Sequence, residues 1–433
     1  MGKPDSEARR MAAARPETGC SRDARPERRA PILALLLANA VSVVGNAMAA
    51  VAIPWFVLQT TDSAARTGLT GAVGALGAVL AAFFGGPIVD RLGFKRTSVA
   101  ADLVSAATVA LIPLLFAAGY LAFWLLLVLV FLGAVLDAPG LSARQAMISE
   151  LARIAGMPTE MANSADSAIP RLAQFVGPPL AGVLIAGFGA LGVLWLDAAT
   201  FVFSAALVAT AVPSVRSPAT DESADGRRGY LRELSEGLRF VWASPLLLSL
   251  VFLTTVGNFL DAPLQAVILP VYAEEVFGSA FALGGILGGF GAGALAGTLL
   301  FGAFGHRLPR RMTFLVCFVL VGPAAYLTLA MAPSLAVLVG VFAVLGVLAG
   351  PIEPISLTIF QERTPPEIRG RVLGATNALY FAAIPIGMAL GGVVVEVAGL
   401  MPTLVGMGLV YLAVTLGMFF NPALREMDAV GNR

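Results

Sequence analysis

The sequence predicts an all-α membrane protein: twelve transmembrane helices in two pseudo-symmetric six-helix bundles. Three observations carry this expectation. The 433 residues are 58% hydrophobic and only 13% charged, with a mean hydropathy of +0.85. Soluble domains carry about 25% charged residues, so this chain has too few to coat a water-facing surface. Apolar stretches of about 20 residues, enough to cross a bilayer, recur along the whole chain. Short motifs of the first half also return in the second at a nearly constant offset.

The twelve spans read as 31–58, 67–89, 97–118, 121–146, 163–187, 191–213, 245–272, 279–304, 312–332, 334–361, 372–398 and 401–421. Residues 1–30 are rich in Arg, Ala and Pro without apolar periodicity and read as a disordered basic tail. A signal peptide is disfavoured, because the apolar stretch 31–57 is too long for its hydrophobic region. The longest polar interval holds YLRELSEGLRFVWASP, with Leu231, Leu234, Leu238 and Val241 at helical spacing. Such a segment suits a helix lying on the membrane surface. The expected organisation is a tail at 1–30, an N-terminal bundle at 31–213, a linker with an amphipathic helix at 214–244, a C-terminal bundle at 245–421 and a second tail at 422–433.

Positive charge sets the expected orientation. Of 28 Lys and Arg, 26 fall in the tails and in the loops on one side of the spans; Arg66 lies on the other side and Arg171 inside a span. Both termini are therefore expected in the cytoplasm of a multi-pass cell-membrane protein.

The repeat has a regular offset. Val44-Gly45-Asn46 returns as Val256-Gly257-Asn258, 212 residues on. Gly86, Arg91 and Leu92 pair with Gly302, Arg307 and Leu308, Asp137 with Glu353, and Gln145 with Gln361, all at 216. Six spans per copy give both copies the same orientation, the plan of transporters whose halves rock about a central cavity.

Composition excludes several chemistries. One histidine, His306, and two cysteines, Cys20 and Cys317, leave little material for a metal site, a catalytic triad or a disulfide framework. Neither lysine, Lys3 or Lys95, stands in a phosphate-binding loop. A net charge of +1 argues against a nucleic-acid partner. No cofactor and no enzymatic activity are expected.

Between spans two and three stands GGPIVDRLGFKR. It resembles the loop motif of the major facilitator superfamily, matched by Gly86, Asp90, Arg91, Gly93, Lys95 and Arg96. The second copy, GAFGHRLPRR, is degenerate. In span five, Gly177-Pro178-Pro179-Leu180-Ala181-Gly182 resembles the motif of the antiporter branch, and QERTPPEIRGRVLGATNALY with ARQAMISELA is similar to the macrolide-efflux and enterobactin-exporter-like branch. The Arg-containing motif of span four in drug antiporters is absent before Arg144. The resemblance implies a cytoplasmic gate in which Asp90 meets the start of span eleven near Arg371 and Gly374, and a monomeric protein. A plain topological anchor is the other role open to the loop.

A carboxylate or guanidinium at the bilayer centre costs about 2.5–3.5 kcal/mol on insertion scales, and such residues should face a cavity or a partner. Candidates for binding substrate or protons are Asn46, Asp137, Arg171, Asn258, Asp261 and Glu353. Further polar positions are Asn39, Asn163, Ser167, Gln174 and Gln265. Trp55, Tyr380 and Phe381 are expected to line the cavity. Asp102, Asp166 and Asp197 lie nearer span ends and read as solvated or capped positions. Gly177, Pro178, Pro179 and Gly182 are expected to bend span five, since proline donates no backbone hydrogen bond. Gly285, Gly289, Gly293 and Gly297 form a close-packing stripe. The expected function is proton-coupled export of amphipathic small molecules by alternating access. A metabolite or siderophore transporter of the same fold and a non-transporting membrane sensor remain as alternatives.

Overall fold

The computed structural model describes residues 29–214 and 226–427; the side chains of 82–91, 226–231 and 306 also lie outside the described residues. Among the described residues fourteen α-helices occur: α1 (Ala30–Thr61), α2 (Ala64–Leu92), α3 (Phe94–Ala117), α4 (Phe123–Ile154), α5 (Thr159–Ala211), α6 (Gly226–Ala243), α7 (Pro245–Pro263), α8 (Leu269–Tyr272), α9 (Ala280–Phe304), α10 (Arg310–Ala330), α11 (Leu335–Ala349), α12 (Ile352–Arg363), α13 (Arg369–Ala398) and α14 (Leu400–Phe419).

Helices and crossings are not the same count. The 53 residues of α5 would reach about 80 Å at 1.5 Å per residue, far beyond a hydrocarbon core of about 30 Å. Gly189, at φ 72° and ψ 166°, folds the element back on itself, so α5 crosses twice. Conversely α7, a π-helical turn (Leu264–Ile268), α8 and a second π-helical turn (Ala273–Phe277) form one crossing. So do α11 and α12, which part at Gly350 and Pro351. Twelve crossings result. Helix α4 runs on to Ile154 and α5 starts at Thr159, beyond the expected spans. Hydropathy marks the part of a helix that sits in lipid, and ARQAMISELA is polar yet a good helix former.

The crossings form two lobes, α1–α5 and α7–α14, joined through α6. The repeated Val-Gly-Asn motif does the same work in each. Gly45 of α1 lies against Asp197 and Thr200 in the second half of α5, and Gly257 of α7 lies against Tyr411 of α14. In both lobes a missing side chain on the first crossing admits a polar side chain from the sixth.

Glycines set the helix packing elsewhere. On α9, Gly289, Gly293 and Gly297 press onto the backbone carbonyls of Val339, Ala343 and Val347 in α11, with Gly285 against the Val339 side chain. A second face, Gly284, Gly288 and Gly291, meets α5 of the other lobe. Expected result: Gly293→Ala destabilises the protein by about 1–3 kcal/mol through overpacking. Gly302→Ala, at a position with no atom within 4 Å, leaves it unchanged. Denaturation in detergent micelles measures both.

The amphipathic helix forms as α6, but it does not only face the membrane. Gly237 sits on the Arg371 carbonyl of α13. Arg371 pairs with Glu236 at 2.7 Å and with Glu233 at 3.8 Å.

Candidate functional site

The lobes touch closely at the face away from the chain ends. Gly68 of α2 lies on the Met388 carbonyl and Gly392 of α13. A Cβ on Gly182 of α5 would stand 2.8 Å from the Ala280 carbonyl and 3.0 Å from Gly284 in α9. Toward the other face the polar stripe of α5, Asn163, Ser167, Arg171 and Gln174, is exposed. Glu353, Asn377 and Phe381 of the second lobe are exposed as well. Intramembrane polar groups avoid lipid, so these exposed residues suit a cleft between the lobes on the side of the termini.

The expected bend in span five takes another form. Gly177, Pro178, Pro179 and Gly182 keep helical backbone angles, and the only non-helical residue of α5 is Gly189. Instead this segment is a packing surface. Gly177 is seated 2.5 Å (as a built Cβ) from the Ala47 side chain of α1, and Pro179 fills the space above Gly288. Pro178 has no N–H to give to the carbonyl four residues back. That carbonyl, of Gln174, lies against Gly291 of α9. Pro263 repeats the device: the carbonyl of Phe259, four residues back, lies against Gly387 of α13. A glycine accommodates a proline-freed carbonyl in both places. A π-helical turn follows Pro263 at once, beside Asp261.

Several carboxylates within the bundle have a defined partner. In the first lobe Asn46 Nδ2 donates to Asp137 Oδ2 at 2.9 Å, joining α1 to α4. About two helical turns earlier in α1, Asn39 Nδ2 donates to Asp166 Oδ1 at 2.8 Å. In the second lobe Tyr411 donates its hydroxyl hydrogen to Asp261 Oδ2 at 3.2 Å, and the Tyr326 hydroxyl donates to the Leu260 carbonyl at 2.6 Å. Asp261 also lines a cavity of about 60 Å³ with Gln265, Leu287, Phe290, Gly322 and Phe342. This cavity lies among α7, α9, α10 and α11, inside the second lobe. It has room for a few waters and is far smaller than the 300–1,000 Å³ typical of sites for drug-sized ligands. Asn258 turns elsewhere, donating to the Tyr380 carbonyl of α13 at 3.2 Å. Glu353 and Asp137 match in sequence, yet Glu353 is exposed and Asp137 is half-buried.

Three readings of single residues change. Trp55 is 3% exposed and belongs to the core, leaving Tyr380 and Phe381 nearer the cleft. Asp197 is fully buried, with its Oδ1 beside Thr200. Asp102, expected at a solvated helix end, is also fully buried: Arg144 Nη1 donates to Oδ1 at 2.7 Å and Ser204 Oγ to Oδ2 at 2.7 Å. This triad ties α3, α4 and the second half of α5 together. The spacing of Asp102 and Arg144 along the chain gave no sign of the pair, which only the packing of α3 on α4 creates.

Of the expected gate, Gly86, Asp90 and Arg91 lie outside the residues whose side chains are described. Gly93 has φ 81° and precedes α3, with its carbonyl accepting from the Thr97 N–H. Only glycine adopts that backbone region without strain, which accounts for its place in the motif. Lys95 is half-buried and Arg96 exposed.

Comparison with known proteins agrees with this architecture. The chain is 33% identical over 404 residues to the multidrug efflux pump Tap of Mycolicibacterium fortuitum, covering 93% of this chain and 98% of that protein. It is 22% identical over 370 residues to macrolide efflux protein A of Streptococcus pyogenes, covering 83% and 88%. A crystal structure of a mutant of the nucleoside transporter NupG superposes with a TM-score of 0.70 at 15% identity, covering 92% of this chain and 99% of that one. A family described as transmembrane secretion effector matches residues 25–432. The chain is thus a multi-pass membrane protein and a member of the transmembrane secretion effector family of major facilitator transporters.

Proposed function

We propose that this transporter exports amphipathic, drug-like small molecules from the cell by alternating access, in exchange for protons. The observation that carries the reading is the exposed polar residues of both lobes on the side of the termini, which suit a cleft there, while glycine-to-backbone contacts join the lobes at the far end. Substrate enters between the lobes from the side of the termini. Arg171, Glu353 and Phe381 then orient it. Multidrug and macrolide efflux proteins among its relatives support the substrate class.

In this reading both termini are cytoplasmic and the protein is a monomer in the cell membrane. The first lobe spans 31–213, the linker 214–244 and the second lobe 245–421, with tails at 1–30 and 422–433. Asp137 with Asn46, and Asp261 with Tyr411, are the proton sites. Gly86, Asp90, Arg91, Gly93, Lys95 and Arg96 form the cytoplasmic gate. Pro178, Pro179 and Gly182 seal the lobe interface, Gly177 seats α5 on α1, and Asn258 anchors α7 to α13.

Inverted membrane vesicles test the proposal. An inside-acid pH gradient should drive uptake of a fluorescent lipophilic cation, and collapsing the gradient with a proton ionophore should stop it. Uptake that ignores the gradient, or that runs only in right-side-out vesicles, rejects proton-coupled export.

A further inference from the structure

The closed face carries a hydrogen-bonded contact that the glycine packing does not require. Ser63 precedes α2 and caps it, its Oγ accepting from the Arg66 N–H at 3.2 Å and its carbonyl from the Thr67 N–H at 3.1 Å. Helices capped by serine commonly add a Glu or Gln three residues on, whose side chain reaches back to accept from the N–H of the capping residue. In α2 that position is Arg66, so the helix supplies no such group itself. The carboxylate comes from the other lobe: Glu396, near the end of α13, accepts from Ser63 Oγ at 3.0 Å and from the Ala65 N–H at 3.1 Å. Negative charge at a helix N-terminus is favoured by the helix dipole, and hydrogen bonds to an ionised acceptor are the stronger kind.

We propose that Glu396 is a latch, capping α2 in trans to hold the far face closed, and that each transport cycle breaks and remakes this cap. The geometry supports a switching role over a merely structural one. Glu396 is exposed, so its loss leaves no buried cavity and no buried unpaired charge. The two elements it joins belong to different lobes, and Gly68 and Gly392 press together beside the same contact. Opening the far face must separate that pair and draw Glu396 off α2. Arg66, the nearest basic group, lies on α2 itself with its guanidinium 5.4 Å from the centre of the Phe123 ring.

The test reads lobe separation directly. Spin labels go on Phe188→Cys and Met331→Cys, which are 76% and 80% exposed at far-face turns of the two lobes. The background carries Cys20→Ser and Cys317→Ala. In full-length protein in lipid nanodiscs, Glu396→Ala should raise the ratio of open to closed distances about tenfold, equal to about 1.4 kcal/mol. Glu396→Gln should fall between it and the wild type, since the amide oxygen still accepts from Ala65 but carries no charge. A Glu396→Ala distance distribution identical to the wild type overturns the latch. So does an equal shift from Val397→Ala, a neighbouring exposed position with no such bond. The proposal rests on alternating access, but its readout is a distance and not flux, so a failed vesicle assay and a failed latch are separate results.

Discussion

Asp102→Asn will destabilise the protein by about 3–5 kcal/mol, the cost of leaving one charge of a buried pair without its partner. Arg144 and Asp102 are 1% and 0% exposed and 2.7 Å apart. Ser204 satisfies the second carboxylate oxygen. With the carboxylate gone, the guanidinium stays in an apolar interior between α3 and α4. Arg144→Met should cost a similar amount, because it strands Asp102 instead. The double variant should be closer to wild type than either single one, since hydrophobic replacement of a whole buried pair is often neutral. Denaturation of the purified protein in micelles gives all three values. Single variants within about 1 kcal/mol of wild type would show that the pair does not hold the lobe together. The functional consequence is rigidity. Alternating access requires each lobe to move as one body, and this triad ties three of the six crossings of the first lobe at the termini side.

Asp261→Asn will abolish pH-gradient-driven transport, bringing uptake in inverted vesicles down to that of membranes without the protein. It will leave substrate binding intact. The split follows from the cavity. At about 60 Å³ it admits water but no drug-sized molecule, so substrate does not contact Asp261 while a proton can reach it. Tyr411 and the proline-freed backbone around Phe259 connect this site to α14 and α13, and α13 reaches the lobe interface at Gly392. A charge change at Asp261 is thereby next to the helix that has to move. The measurement pairs vesicle uptake with substrate-induced thermal stabilisation of the purified variant. Loss of both together would place Asp261 in the substrate site, and retention of full driven uptake would remove it from the mechanism. Asp137→Asn should likewise uncouple transport, because Asn46 can still donate to the new side-chain oxygen and the local geometry survives.

Much of the architecture is present in local sequence. Lipid solvation acts on each apolar segment separately, so hydropathy counts the crossings without knowledge of their neighbours. The reversal inside α5 was also readable, since two apolar stretches, 163–187 and 191–213, each long enough to cross, meet there. The glycine stripe of α9 at a spacing of four pointed to close packing and is found on α11. Its second face, Gly284, Gly288 and Gly291, was missed because the 3- and 4-residue spacings overlap on one helix, and nothing local says which face meets which neighbour. The Gly-Pro-Pro-x-x-Gly segment was read as a bend, since proline interrupts hydrogen bonding. In the folded protein the segment keeps helical backbone angles, the Gln174 carbonyl freed by Pro178 meets Gly291 of α9, and Pro178, Pro179 and Gly182 pack against the other lobe.

The acids divide along the same line. That carboxylates at bilayer depth need partners follows from sequence and electrostatics. Which partner each one takes depends on contacts between residues 42 positions apart for Arg144 and Asp102, and 333 apart for Ser63 and Glu396. The amino-acid order alone therefore determined the membrane environment, the twelve crossings and the doubled plan, because these arise from local apolarity and from repetition. Only the tertiary structure decided which face is closed, which acids are paired and which helix is capped by the opposite lobe. Those properties belong to helix packing, where a difference of one residue in facing changes every partner.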